Sequence, residues 1–265
     1  MGPDRRTRAW SGARAIAAGA VVAVVAALTC GTAPVSADEA ARAKIGEVLE
    51  VYGGRAALAK VHAYRAEGTL HSIMRDVDAH TVRVFARPNR LKVLIDYPGH
   101  PEARVVDGER GWRNEMGSPL EPAEGPMLDA MILQAARADV PWILAERESA
   151  ARLIEPVEKD GVKLDGIEIP LERGLVFRAY VHPVTRRVVM SQGELSHGGM
   201  TTHFETMYSD FRQVSGLWFG FQEENWASGT HTGTTKIGKI VLDPPLKSDE
   251  FRPPTTAKTK GKGAS

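Results

Sequence analysis

The stretch VRVFARPNRLKVLIDYPGHPEARVVDGERGW, residues 82–112, decides the fold. Within it Leu91, Val93, Ile95 and Tyr97 share one face of an extended segment, while Arg90, Lys92 and Asp96 take the other. Turn signals at Arg87-Pro88-Asn89, Pro98-Gly99-His100-Pro101 and Asp107-Gly108 cut this period-two pattern into strands expected at 80–87, 90–97, 102–107 and 111–115. Connections this short join antiparallel neighbours, so the stretch predicts a meander.

Working outward, a further strand is expected at 62–73, and before it the period changes to that of a helix. Ala41, Ile45, Val48, Leu49 and Tyr52 recur at helical spacing, Gly53-Gly54 interrupts, and RAALAKV resumes, which predicts two short helices between Asp38 and Val61. After the meander, Met127, Leu128, Met131, Ile132, Ala135 and Ala136 predict a helix from Gly125. Pro141 divides it from a second helix carrying Trp142, Ile143 and Leu144. Alternation then returns through a series of strands from about 152 to 242 and closes on Asp243-Pro244-Pro245.

The pattern predicts an α+β fold. We expect a single curled antiparallel sheet of about eleven strands forming an unclosed β-barrel, lidded by the helices, in one domain over residues 38–253. Leu175, Phe177, Ala179 and Val181 repeat the alternation of the first strands, as do Leu217, Phe219 and Phe221 in SDFRQVSGLWFGFQEENW, residues 209–226. Alternation sends Trp218 and Trp226 to the opposite side. The concave face would be apolar, with the helices bearing Met131 and Trp142 filling or covering it. Whether each of these residues is ordinary core or the wall of a groove stays open on sequence alone.

Both ends carry separate signals. Arg5, Arg6, Arg8 and Arg14 precede an uncharged run from Ala15 to Thr29, and Val35-Ser36-Ala37 offers small residues at −3 and −1. This is the layout of a secretory signal peptide over residues 1–37, cleaved after Ala37, and it implies a periplasmic protein. Lipidation at Cys30 is a rival reading, but Ala27-Leu28-Thr29 is a poor lipid-attachment sequence. Residues 38–265 contain no cysteine, so the domain has no disulfide and must be held by its own core. Residues 254–265 read as a disordered basic tail with Lys258, Lys260 and Lys262. The net charge of +1 gives no electrostatic footprint for nucleic acid.

No motif argues for catalysis, a metal or a cofactor. Gly233-Thr-Thr-Lys-Ile-Gly238-Lys239 resembles a phosphate-binding loop, but Ile240 stands where a hydroxyl is needed and the alternation continues through it. His203 and Glu205 share a strand face, with His197 nearby in sequence, a weak spacing for a metal. No G-x-S-x-G occurs. The acid pairs Glu223-Glu224 and Asp249-Glu250 are adjacent in sequence and point apart in an extended chain.

The opening stretch resembles the early strands of the LolA/LolB superfamily of periplasmic lipoprotein carriers and receptors. Members show an apolar strand ending in R-P-N or R-P-D, a second strand, and a third closing on D-G with a Trp soon after. Here these are Arg87-Pro88-Asn89, Leu91 to Tyr97, and Asp107-Gly108 followed by Trp112. The helical start, the central helices and the ending KIVLDPPLKSDEFRP also fall in the family's order. The resemblance implies a monomeric, non-enzymatic carrier or binder of lipid or acylated lipoprotein, acting in outer membrane biogenesis alongside membrane-bound release or acceptor proteins. An envelope-stress sensing module with the same fold is the alternative. Lipid-facing candidates are Leu91, Val93, Ile95, Met127, Met131, Trp142, Phe177, Phe219 and Phe221. Arg87 matches the arginine that holds the helical lid shut in the carriers, although taken alone it is equally a solvated turn residue.

Overall fold

The computed structural model describes residues 37–253. Apart from Ala37, the expected signal peptide lies outside them, as do Cys30 and the basic tail. Two helices, α1 (Ala37–Val51) and α2 (Arg55–Lys60), open the domain and break at Gly53-Gly54 as expected. They lead into β1 (Ala63–Ser72), β2 (Val77–Ala86), β3 (Arg90–Tyr97), β4 (His100–Asp107), β5 (Arg110–Arg113) and β6 (Glu121–Ala123).

Next come α3 (Gly125–Ala138) and α4 (Trp142–Glu146), separated near Pro141. The chain then runs through β7 (Arg152–Lys159), β8 (Val162–Pro170), β9 (Val176–Val181), β10 (Val188–His197), β11 (Met200–Val214), β12 (Leu217–Ala227) and β13 (Thr230–Leu242).

All thirteen strands form one antiparallel sheet in the order β6-β5-β4-β3-β2-β1-β13-β12-β11-β10-β9-β8-β7. The ends, β6 and β7, do not pair, so the sheet is an unclosed barrel, with the helices against it. The strand count exceeds the expected eleven or so. Strand β6 is only three residues long, too short to show a period.

The main core lies between helices and sheet. It gathers Ile45, Val48 and Leu49 from α1, Leu133 and Ala135 from α3, Trp142 and Leu144 from α4, and Ile167, Ile169 and Phe177 from the late strands. On the opposite face of the early strands, Val82, Val84 and Val105 pack with Phe251, so the segment after β13 folds back beneath β2–β4. There Lys92 Nζ donates to Glu250 at 2.9 Å, and Arg90 lies over the Phe251 ring at 5.3 Å.

Two glycines set the position of α3. A Cβ on Gly111 of β5 would stand 2.8 Å from Leu128 Cδ1. One on Gly193 of β10 would stand 3.0–3.2 Å from three Leu133 atoms. The helix therefore crosses the concave face in close contact with β5 on one side and β10 on the other. Tyr64 of β1 fixes its end, donating from the hydroxyl to the Ala138 carbonyl at 2.8 Å.

Candidate functional site

Between α3 and the concave sheet lies a cavity of about 620 Å³, within the range of small-molecule sites. Alternate residues of each strand supply its wall: Val93, Ile95 and Tyr97 from β3, Leu70 from β1, and Phe204 from β11. One face of α3 faces them with Met127, Met131, Gln134 and Arg137, at the i, i+4, i+7 and i+10 positions that share a helix side. Met74, in the β1–β2 turn, and Met127 also border the space and are 79% and 42% exposed, so they mark its mouth.

The cavity is not purely apolar. Arg83 of β2 forms a two-pronged ion pair with Glu223 of β12, both N–O distances being 2.6 Å. This pair, with Tyr208, Arg137 and Ala138, also borders a void of about 40 Å³ reached by Tyr52, Tyr64 and Phe219. The ion pair is therefore a partition between the open cavity and the inner core. Burial raises the Glu223 carboxyl, but Arg83 and more weakly Arg137 outweigh it and hold it below its ordinary range. Burial, with Glu223 beside it, pushes the Tyr208 hydroxyl up to about 12.

Nearer the edge of the sheet, Arg75 donates to Glu102 at 2.5 Å and lies over the Tyr97 ring at 4.3 Å. Arg104 comes only to 3.8 Å from the same Glu102, and Arg113 pairs with Glu115 outside the cavity wall. Arg137 has no ion-pair or hydrogen-bond partner among the described residues. The guanidinium is made less basic by burial and by Arg83 and Arg104.

The helices are tied down at the far side. Arg87 Nε donates to Glu146 Oε1 of α4 at 2.6 Å, and its Nη1 donates to the Val61 carbonyl at 3.2 Å. Trp142 Nε1 donates to the Leu58 carbonyl at 2.9 Å, with the Trp142 ring stacked 6.2 Å from Tyr64. Asp139, between α3 and α4, is 5% exposed, and its Oδ1 finds no partner among the described residues. Burial, reinforced by Glu146, pushes its carboxyl well above the ordinary value.

Of the residues singled out from the sequence, Val93, Ile95, Met127 and Met131 line the cavity together. Leu91, Trp142, Phe177, Phe219 and Phe221 are buried in the main core. Phe219 stands beyond the Arg83–Glu223 partition, with its ring 5.9 Å from Tyr64 and 6.0 Å from Trp142. Trp226, assigned by alternation to the face opposite Phe219, stays in register with Glu205 and has Lys159 over its ring at 5.6 Å, though it also borders the cavity; the pairing shift beside it is an extra residue, Thr232, on β13. Sequence reasoning missed the arginines of the cavity; alternation places Arg83 with Phe85, but which face is concave emerges only from the whole sheet. His203 and Glu205 are not joined: His203 is nearest Glu194 at 3.9 Å, while Glu205 pairs with Lys159 at 3.2 Å. Among the described residues no group of three or more His, Cys, Asp or Glu could hold a metal ion.

No family model matches the chain, and no curated protein matches it. Solved structures do. A LolA superfamily protein from Nitrosomonas europaea superposes with a TM-score of 0.52 at 12% identity, over 79% of this chain and 96% of that one. A domain assigned to outer membrane lipoprotein sorting in Vibrio parahaemolyticus gives 0.52 at 11% identity, over 81% and 97%. The chain has the LolA-like fold. A DUF1329 family protein from Desulfovibrio piger is alike to the same degree, with a TM-score of 0.52 at 12% identity over 81% and 97%. The LolA-like fold accounts for the order of elements seen here, from the opening helices through the meander to α3 and α4 over the concave face.

Proposed function

We propose that this protein is a periplasmic carrier or binder of lipid or acylated protein, holding apolar chains in the cavity between α3 and the sheet without covalent chemistry. The observation that carries this reading is the open cavity of about 620 Å³, walled by Val93, Ile95, Met131 and Phe204. Outer membrane lipoprotein sorting, named for one structural neighbour, agrees with it. So do the signal-peptide features of residues 1–37.

The energetics explain the need for such a site. Each buried CH₂ is worth about 0.8 kcal/mol, so a sixteen-carbon chain left in water costs on the order of 12 kcal/mol. Methionines such as Met127 and Met131 accommodate chains of varied shape because the thioether side chain has three rotatable bonds. Release requires that some of the binding energy be given back. In this reading α3 and α4 move as a lid, and the Arg87–Glu146 contact holds it closed. Leu91, Trp142, Phe177, Phe219 and Phe221 would join the apolar wall only once that lid has lifted.

Native mass spectrometry of the gently purified protein tests the reading. A co-purifying lipid or acylated protein is the expected result. A chain that remains empty after exposure to a membrane extract counts against it.

A further inference from the structure

The pairing register aligns Arg83 with Val93, Val93 with Arg104, and Arg104 with Arg113. Three arginines therefore stand in one transverse row across β2–β5, and all three line the cavity. Arg137 reaches the same cavity from α3, and Arg75 from the β1–β2 turn. Against these five guanidinium groups the cavity wall holds two carboxylates, Glu102 and Glu223. Glu223 is engaged by Arg83, Glu102 is taken at 2.5 Å by Arg75 with Arg104 at 3.8 Å, and Arg113 pairs with Glu115 outside the wall, so that Arg137 alone of the five has no ion-pair partner among the described residues.

What is left is an excess of positive charge facing a cavity whose other walls are uncharged. Arg104 and Arg113 sit directly opposite one another on neighbouring strands, an arrangement of like charges that weakens a sheet. Arg137 is half-buried and unpaired among the described residues. Guanidinium groups placed this way are costly unless an anion completes them. A soluble domain with no use for the cavity beyond apolar chains would gain by filling these positions with leucine or glutamine.

We propose that the cavity takes an amphiphile with one anionic group, carboxylate or phosphate, and that Arg104, Arg113 and Arg137 bind that group while the apolar wall takes the chain. This rests on the carrier reading and names the class of its ligand. The planar forks of three arginines suit the oxygens of either anion, whereas a neutral or cationic head group would leave Arg137 unpaired and the positive excess of the row uncompensated. Burial and the neighbouring arginines hold Arg113 and Arg137 below the usual guanidinium range, a penalty that a bound anion would relieve.

Matched chains provide the test. The full-length protein is titrated by calorimetry with hexadecanoate, hexadecyl phosphate, hexadecanol and hexadecyltrimethylammonium, and separately with inorganic phosphate and acetate. The two anionic chains should bind at least about tenfold more tightly than the alcohol, the usual gain from a hydrogen-bonded charge. In Arg137→Gln and Arg104→Gln that ratio should fall toward one. Two variants are used so that, if either fails to fold by circular dichroism, the other still reports. Equal affinity for alcohol and anions overturns this proposal while leaving the carrier reading in place. Binding of none of the chains overturns both. Inorganic phosphate binding as tightly as hexadecyl phosphate would show a site for a free anion and also overturn the proposal.

Discussion

The guanidinium of Arg87, in the turn between β2 and β3, stands 2.6 Å from the carboxylate of Glu146 at the end of α4, and both side chains are about three-quarters shielded from solvent. The turn that the sequence marks as Arg-Pro-Asn is thereby joined to the helices over the concave face. This contact ties α4 to the β2–β3 turn, and in the carrier reading it is one that must break if α4 moves.

Replacing Arg87 with Leu removes that contact and leaves Glu146 unpaired. The expected result is a loss of about 1–2 kcal/mol in unfolding free energy, the scale of a partly shielded charged hydrogen bond, with faster exchange of bound chains. Stopped-flow release of a fluorescent fatty chain measures the second effect. Unchanged release would return Arg87 to the role of a turn residue.

The Arg83–Glu223 pair is buried on both sides, so breaking it from one side should be costly. Arg83→Met strands the Glu223 carboxylate and should destabilise the domain by about 3–5 kcal/mol in urea unfolding. The double variant Arg83→Met, Glu223→Leu should recover most of that loss, because no unpaired charge remains. It should also open the partition between the cavity and the inner void, and give Phe219 access to ligand.

Asp139 predicts a pH dependence. Its carboxyl is held protonated in the folded domain at pH values where the unfolded chain, with an ordinary value of 3.8, has already lost the proton. The folded state binds the extra proton, so this group makes stability fall as pH rises from about 4 toward its raised value. Asp139→Asn cannot ionise. Urea unfolding of the two proteins at about pH 4.5 and pH 7.5 should show a smaller decline with pH in the variant.

The seat of α3 is testable through Gly193. A valine there would drive its side chain into Leu133, whose atoms already lie 3.0–3.2 Å from the position a Cβ would take. Overpacking of this kind costs about 1–3 kcal/mol, and here it should also lift α3 from β10. A lower thermal midpoint with altered chain affinity is the expected pair of observations.

Much of the fold was legible because it is local. Alternation in β3, turn residues at Arg87-Pro88-Asn89 and Asp107-Gly108, and the helical spacing from Met127 to Ala136 each act within a dozen residues. The order within β1–β6 and within β7–β13 follows from short connections, whereas the β1–β13 pairing that joins the two runs, such as Tyr64 with Leu242, is not local and left no signal in the sequence. Strand β6 was not, since three residues carry no period. The site was only half legible. Val93, Ile95 and Met131 could be assigned to the concave side by their spacing, but the row of Arg83, Arg104 and Arg113 exists only through the pairing of four strands. The partition in front of Phe219 was not legible either, because it is built from Arg83 and Glu223, 140 residues apart.

The central claim is that the space beside Ile95 holds an apolar chain. The most direct measurement is a fluorescence titration with a sixteen-carbon fatty probe, comparing the native protein with Ile95→Trp, a variant that fills the cavity. The account predicts saturable binding at one site by the native protein and its loss in a folded Ile95→Trp variant. Absence of saturable binding, or equal binding by both proteins, would contradict it.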